Sequence, residues 1–306
     1  MKQPPGPSEE RTPVEIELEP TVAGRVARWT QRARILRERS EAARTRHSSV
    51  DLGFSLVERD SMIGGGLLAG ALAYRLFVLL LPTTLLFVSG LGLYADTVDE
   101  SPAKVAAKAG LHGLIASQVA STASSGARWI VFIVMVPAVL YAVAKLYRAL
   151  AIVHAIVWHG SGRVARMTPR GVGLLGAALL LTVVAAEIVG WVRRSDQLGG
   201  LAALLAYVAL IGGAWLVVSM QLPHRAVRWT AFLPGALLFG VGLLFVNVFN
   251  VYVTTRLVED RANTYGALGI ATAVLLSLVL VGRLMVVSAE LNAAIDERHD
   301  PLGGRT

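Results

Sequence analysis

The chain has 306 residues, 54% of them hydrophobic and only 16% charged, and it contains no cysteine. Soluble domains carry about 25% charged residues, so a lipid-facing surface accounts for the deficit, and the missing thiols exclude disulfides, thiolate nucleophiles and Cys-based zinc sites. A formal net charge of +8 would suit nucleic acid, but in a membrane protein a basic excess belongs on cytoplasmic loops.

Residues 1–20 (MKQPPGPSEERTPVEIELEP) are rich in Pro and Glu and lack the apolar core of a secretory signal. They predict a disordered cytoplasmic tail. Residues 21–61 change character. Val22, Val26, Trp29, Ala33 and Leu36 recur at helical spacing, with Arg25, Arg28, Arg32, Arg34, Arg37 and Arg39 around them. This pattern predicts a basic amphipathic helix over about residues 21–47. Such a helix can lie on an anionic inner leaflet with Trp29 as anchor; the plainer reading is a solvated helix or one docked on the protein's own loops. Residues 47–61 read as a connector, with Asp60 or Ser61 placed to cap the helix that follows.

A membrane domain is predicted over residues 62–290. Its first span, Ile63 to Tyr94, is apolar for longer than a bilayer is thick, yet carries Arg75 and Pro82. Pro82 should bend it, since a proline ring displaces a helical hydrogen bond. Beyond it, Ser101-Pro102 reads as a helix start, and Leu111, Leu114, Ile115 and Val119 make the stripe of a short outer amphipathic helix. The second span runs from Ile130 to Ala144, with Lys145 and Arg148 marking its inner end. Residues 149–158 are expected to continue as a helix in the interface or under the bundle. The third, fourth, fifth and sixth spans are Gly171–Trp191, Leu198–Met220, Thr230–Thr255 and Tyr265–Ser288. Residues 291–306 read as a polar tail.

Six spans place both termini on one side. On that side lie twenty of the 29 Lys and Arg residues, seven lie on the other, and Arg75 and Arg283 fall inside spans. Excess basic residues mark the cytoplasmic face, so both termini are expected in the cytoplasm.

The polar residues inside the spans are the candidates for function, because ionisable groups there are expensive and rare. Arg75 lies about 18 Å along its helix from Ile63, and Arg283 about 10 Å from Glu290, at roughly 1.5 Å per residue. Two arginines at similar depth could converge on a phosphate or carboxylate, or each could snorkel or cap carbonyls. Asn247 and Asn250 share a face of the fifth span and could line the same cavity or bond between helices. Glu187, near the outer end of the third span, could pair with Arg128 or Arg193. Glu290 and Asn292, at the inner exit of the sixth span, are expected to fix that helix. Kinks at Pro82, Pro137 and Pro234, with small-residue seams such as Gly266 and Gly269, suit either a cavity that changes shape or a static bundle.

Three segments together resemble one family. Leu67–Tyr94 contains Ala71-Leu72-Ala73-Tyr74 followed by Pro82; Tyr265-Gly266-Ala267-Leu268-Gly269 opens the last span; and Ser288-Ala289-Glu290-Leu291-Asn292-Ala293 closes it. These resemble the YihY / virulence factor BrkB family of bacterial inner-membrane proteins, in order and topology over about residues 50–297. The chain departs from that family's usual pattern at Arg75. The resemblance implies a six-helix envelope protein with a role in envelope integrity or transport. Some members carry a ribonuclease label, for which a nuclease would need clustered carboxylates or a histidine pair. Here the carboxylates lie in tails and loops apart from Glu187, and His154 and His159 have no nearby acid in sequence.

The expected fold is an all-α polytopic membrane protein with six transmembrane helices. The expected function is transport or maintenance of an anionic lipid or organic anion, contacted by Arg75 and Arg283, without cofactor, metal or catalytic residue. A non-transporting scaffold or lipid sensor is the alternative. Membrane lipids are the expected partners, with a homo-oligomer allowed and nucleic acid not expected.

Overall fold

A computed structural model describes residues 48–98, 125–162, 167–192, 197–226, 228–249 and 267–299, with positions 29 and 31 besides. The helices are α1 (Ser48–Ile63), α2 (Gly65–Thr97), α3 (Ser125–His159), α4 (Pro169–Val192), α5 (Gln197–Ser219), α6 (Leu233–Phe249) and α7 (Ala267–His299), and a 3-10 turn at Trp229–Phe232 leads into α6. Among the described residues there is no strand. In the N-terminal unit, Met1–Phe54, Trp29 is exposed; the rest of the predicted basic helix, Gln31 apart, lies outside the described residues, as do the predicted outer helix after Ser101, Asn250 and Gly266.

The larger unit, Ser55–Thr306, holds the bundle. Among the described residues, five stretches are long and apolar enough to cross a membrane: Gly65–Thr97, Arg128–His159, Ala202–Ser219, Trp229–Phe249 and Val274–Arg298. A sixth helix, α4, is apolar over Pro169–Thr182 and helical to Val192. Leu67, Leu81, Ile130, Leu140, Leu180, Leu237 and Phe245 all point away from the core and are exposed. So many exposed large apolar side chains would aggregate in water and are ordinary in lipid. α2, with 33 residues, is about 50 Å long against a hydrocarbon core of about 30 Å, so its ends must reach past the apolar layer.

α2 packs on α3 and α7, α7 packs also on α6, and α5 lies between α4 and α6. The core joins Leu72 and Leu76 of α2, Leu146 and Leu150 of α3, Ile211 of α5, Phe239 of α6 and Val286 of α7. α7 meets α2 backbone to backbone at Gly282, where a Cβ would collide with the Ala69 carbonyl oxygen.

Several expectations change. The segment before the first span is not a connector but the helix α1, and neither Asp60 nor Ser61 caps α2. Gly64, at φ 67°, turns the chain between the two helices, a conformation that only glycine adopts without a Cβ penalty. Its carbonyl accepts from the Leu67 and Leu68 amides, while the Ser61 hydroxyl donates back to the Glu58 carbonyl. The helix of the second span runs through Lys145 and Arg148 to His159, continuing over residues 149–158 as expected, and without a break. Leu146, Tyr147, Leu150, Ala151, His154 and Trp158 keep burying one face, Arg148 stays exposed, and the Lys145 ammonium lies over the Tyr141 ring at 5.0 Å. α7 likewise runs beyond Ser288 to His299, because Ala289, Asn292 and Ala293 are buried on it. Pro82 sits inside continuous α2, where the Thr83 hydroxyl donates to the Leu79 carbonyl at 2.8 Å.

Candidate functional site

α1, α3 and α7 meet at one end of the bundle, and charge is concentrated there. The Arg283 guanidinium donates to both carboxylate oxygens of Asp60, at 2.5 and 2.7 Å. This two-pronged pairing joins residues 223 positions apart in the chain. It fits against α2 only because residue 65 is glycine: a Cβ there would occupy the space of the Asp60 carboxylate and crowd the Arg283 nitrogen. A second fork lies beside it. Arg59 donates to both oxygens of Glu297, at 2.8 and 3.1 Å, and to the Val157 carbonyl at 2.6 Å. α1 is thus fastened to α7 twice and to the end of α3 once.

Arg283, Glu290 and Glu297 are seven residues apart, close to two helical turns, so they form one stripe of α7. Glu290, in the middle, is 1% exposed. Asp60, Arg283 and Arg59 are its charged neighbours. Its Oε1 has no hydrogen-bond partner among the described residues.

The other face of α7 is polar but neutral. The Trp215 indole of α5 donates to the Ser288 hydroxyl at 3.0 Å, and that hydroxyl donates to the Met285 carbonyl at 2.9 Å. The Gly235 amide donates to Asn292 Oδ1 at 2.7 Å, which satisfies one of the amides that a helix start leaves without an internal partner. Trp215 stacks on Phe239 with ring centres 4.1 Å apart and meets His154 edge-on at 6.5 Å. His154 is completely buried, and neither of its ring nitrogens has a hydrogen-bond partner among the described residues; the Trp158 indole and the Ser219 hydroxyl share that condition.

The residues singled out in the sequence fall in different places. Arg283 and Glu290 lie in the charged cluster, and Asn292 on the neutral face. Arg75 is exposed on α2, its guanidinium carbon 5.9 Å from the centre of the Tyr74 ring, while the Arg283–Asp60 pair lies against Gly65, about 15 Å back along α2. Asn247 is half-buried on α6 and neighbours Tyr207 of α5. Gly269 lies in the first turn of α7. Glu187 lies in α4 with its side chain outside the described residues, while Arg128 pairs with Asp96 at 2.8 Å.

Asp60, Arg59, Gly65 and Glu297 escaped sequence reasoning as site residues. The seven-residue spacing of Arg283, Glu290 and Glu297 was a usable signal for the α7 half. Nothing local to Asp60 distinguishes an ion-pair partner from a helix cap.

Chemically, the cluster offers a guanidinium fork of the geometry that binds carboxylate or phosphate, and a buried carboxyl group beside it. No curated protein and no solved structure matches the chain. The family model described as Virulence factor BrkB matches residues 57–305, a stretch that takes in the whole charged cluster from Arg59 to Glu297. The chain belongs to the Virulence factor BrkB family.

Proposed function

We propose that the protein is a multi-pass inner-membrane envelope protein, crossing the membrane six times with both termini cytoplasmic, that transports or maintains an anionic envelope component. The component is a phosphate-bearing lipid or an organic anion, and the protein acts on it without a catalytic site. The observation that carries this reading is the Arg283 fork. Its carboxylate partner, Asp60, comes from a different helix and occupies the seat that a substrate carboxylate or phosphate would take. A bundle that served only as an anchor would gain nothing from charges at this depth, since replacing a buried ion pair by apolar residues is often neutral or stabilising. Arg75 supports an anionic lipid in particular. It is exposed on α2 and lies about 15 Å along the helix from Gly65, within reach of a headgroup by snorkelling.

The test uses cells that lack their own copy and express the variants at the wild-type level. Arg283→Lys keeps the charge but loses the fork, and Arg75→Leu removes the lipid-facing cation. Each should raise envelope sensitivity to detergent and to an otherwise impermeant dye. Wild-type behaviour of both variants would sink the reading. Removing residues 1–47 should leave most of the function in place; complete loss would point instead to a scaffold or lipid sensor working through that segment.

A further inference from the structure

The ion pair between Arg128 and Asp96, at 2.8 Å, ties the start of α3 to the end of α2. Gly92 lies against Arg128 and Gly90 against Phe132, so the two helices run antiparallel, and depth can be measured along both from the same pair. Along α2, Arg75 stands about 32 Å from Asp96, at roughly 1.5 Å per residue. Along α3, Arg148 stands about 30 Å from Arg128, and Lys145 about 26 Å. Between these points, residues 76–95 and 129–144 contain no Asp, Glu, Lys, Arg or His. Leu81, Leu85, Phe87, Ile130 and Ile133 are exposed there. About 30 Å is the thickness of the hydrocarbon layer. Exposed aromatic side chains stand at both levels, Tyr94 and Trp129 beside the ion pair and Tyr74 beside Arg75, as Tyr and Trp do at the two surfaces of a membrane.

The two levels differ in charge. At the first, Asp96 neutralises Arg128. At the second, Arg75, Lys145 and Arg148 have no carboxylate partner among the described residues. Arg75 and Arg148 are exposed, and the Lys145 ammonium rests over the Tyr141 ring. We propose that Arg75, Lys145 and Arg148 form a belt that binds the phosphate headgroups of anionic lipids, in the leaflet next to the charged cluster. The phosphate supplies the absent counter-charge, held by two parallel hydrogen bonds from a guanidinium or as a point charge by the ammonium. The occupant is a lipid rather than a dissolved phosphate, because the surface leading from each cation toward the ion pair is apolar and exposed, and acyl chains cover such a surface. The first turns of α2 and the last turns of α3 then stand beyond the hydrocarbon. With them stands the Asp60–Arg283 pair at Gly65, about 15 Å past Arg75. This inference deepens the reading proposed above by naming where the lipid docks, and rests on it for the leaflet and for what becomes of the lipid.

The chain has no cysteine, so single cysteines carry a nitroxide label without background. Labels at Ala71, Leu85 and Ile152, all exposed, are placed in the full chain in vesicles of phosphatidylcholine and phosphatidylglycerol. Collisions with oxygen and with a water-soluble nickel chelate report depth. Leu85→Cys, midway between Arg75 and Asp96, should be the deepest. Ala71→Cys and Ile152→Cys, one turn beyond Arg75 and Arg148, should meet the chelate. A label at 71 or 152 as shielded as the one at 85 overturns the placement. Binding is read with spin-labelled phosphatidylglycerol against spin-labelled phosphatidylcholine. The wild type should favour the anionic lipid about fivefold, the worth of one interfacial cation. The triple variant Arg75→Leu, Lys145→Leu, Arg148→Leu should lose most of that preference, and Arg75→Lys with Arg148→Lys should keep it. An unchanged preference in the triple variant, or none in the wild type, overturns the site. Should the triple variant misfold, Arg75→Gln and Arg148→Gln are measured singly; each should lower the preference, and no change in either overturns the site. A belt that behaves as expected, with no envelope phenotype for Arg283→Lys and Arg75→Leu, survives while the transport reading falls. Those phenotypes with no lipid preference leave the transport reading and remove the belt.

Discussion

The last turns of α7 carry two polar faces built in opposite ways. One bears Arg283, Glu290 and Glu297 and is tied to α1 by paired charges. The other bears Ser288 and Asn292 and is tied to α5 and α6 by neutral hydrogen bonds, from the Trp215 indole and the Gly235 amide. On the neutral face each donor has one acceptor and no charge state to change. Such a joint keeps the same strength under all ordinary conditions and suits a fixed seam. On the charged face the strength depends on how many carboxylates are ionised around each guanidinium. Removing one partner there is worse than removing both, because the survivor keeps an uncompensated charge. One helix thus offers a permanent joint on one side and a conditional one on the other.

Breaking the conditional joint should have the largest effect. Arg283→Met leaves the Asp60 carboxylate without its guanidinium partner. The Arg283 and Asp60 side chains are 39% and 18% exposed, so the loss belongs at the low end of the range for buried pairs, about 3 kcal/mol. It is read as a lowered unfolding midpoint of the detergent-solubilised chain. Adding Asp60→Leu should recover most of that loss, since the double variant has no stranded carboxylate beside Glu290. A double variant as unstable as Arg283→Met would show that the joint is held by packing rather than by charge.

The neutral face should respond without any such rescue. Asn292→Ala strands the Gly235 amide in a buried site, which costs about 2 kcal/mol. The loss should be the same at every pH at which the wild type is folded, because no charge is involved. Alanine at 292 adds no bulk, so the deficit measures the lost acceptor. A deficit that changed with pH would mean that the two faces of α7 are coupled through the helix.

Much of this was legible in the sequence, and the reasons for the rest are physical. The spans at α2 and α7 announce themselves by apolar length, and the closing Glu290 and Asn292 were visible as unusual residues at the end of a span. Lys145 and Arg148 read as the inner end of a span, because charge is ordinarily a sign that a helix is leaving the membrane. Here α3 carries them on one side while Tyr147 and Leu150 remain buried on the other, so the helix continues. Asp60 read as a cap because it stands just before an apolar run. Gly64 supplies the turn instead, and a carboxylate freed from capping is available to Arg283, far away in the chain. Local pattern specifies helices well; which charges meet across helices is set by packing angles that single residues do not encode. Arg75 and Arg283 illustrate this: helix rise alone suggested similar depth, but the Arg283 guanidinium meets α2 at Gly65, about 15 Å along that helix from Arg75, and Arg75 is exposed.

The smallest effect, and the finest division of the charged face, concerns Arg59. It holds two different partners: Glu297, whose side chain is 61% exposed, and the Val157 carbonyl. An exposed ion pair contributes about 0–1 kcal/mol and fades with salt. Val157 lies in the last turn of α3, where carbonyls lack intrahelical partners, and a charged donor to such a group is worth about 1 kcal/mol or more with little salt dependence. Arg59→Ala should therefore lower stability by about 1 kcal/mol, and Glu297→Gln by a fraction of that. Raising the ionic strength separates the two contributions, because it screens the pair and leaves the carbonyl bond intact. If salt erased the whole Arg59→Ala deficit, α1 would be held to α3 by nothing specific, and its release from α7 would need only the Arg283 joint to open. If the deficit persists in salt, α1 stays pinned at the end of α3 while the Arg283 end swings, so Arg59 is the pivot and Asp60 the part that moves.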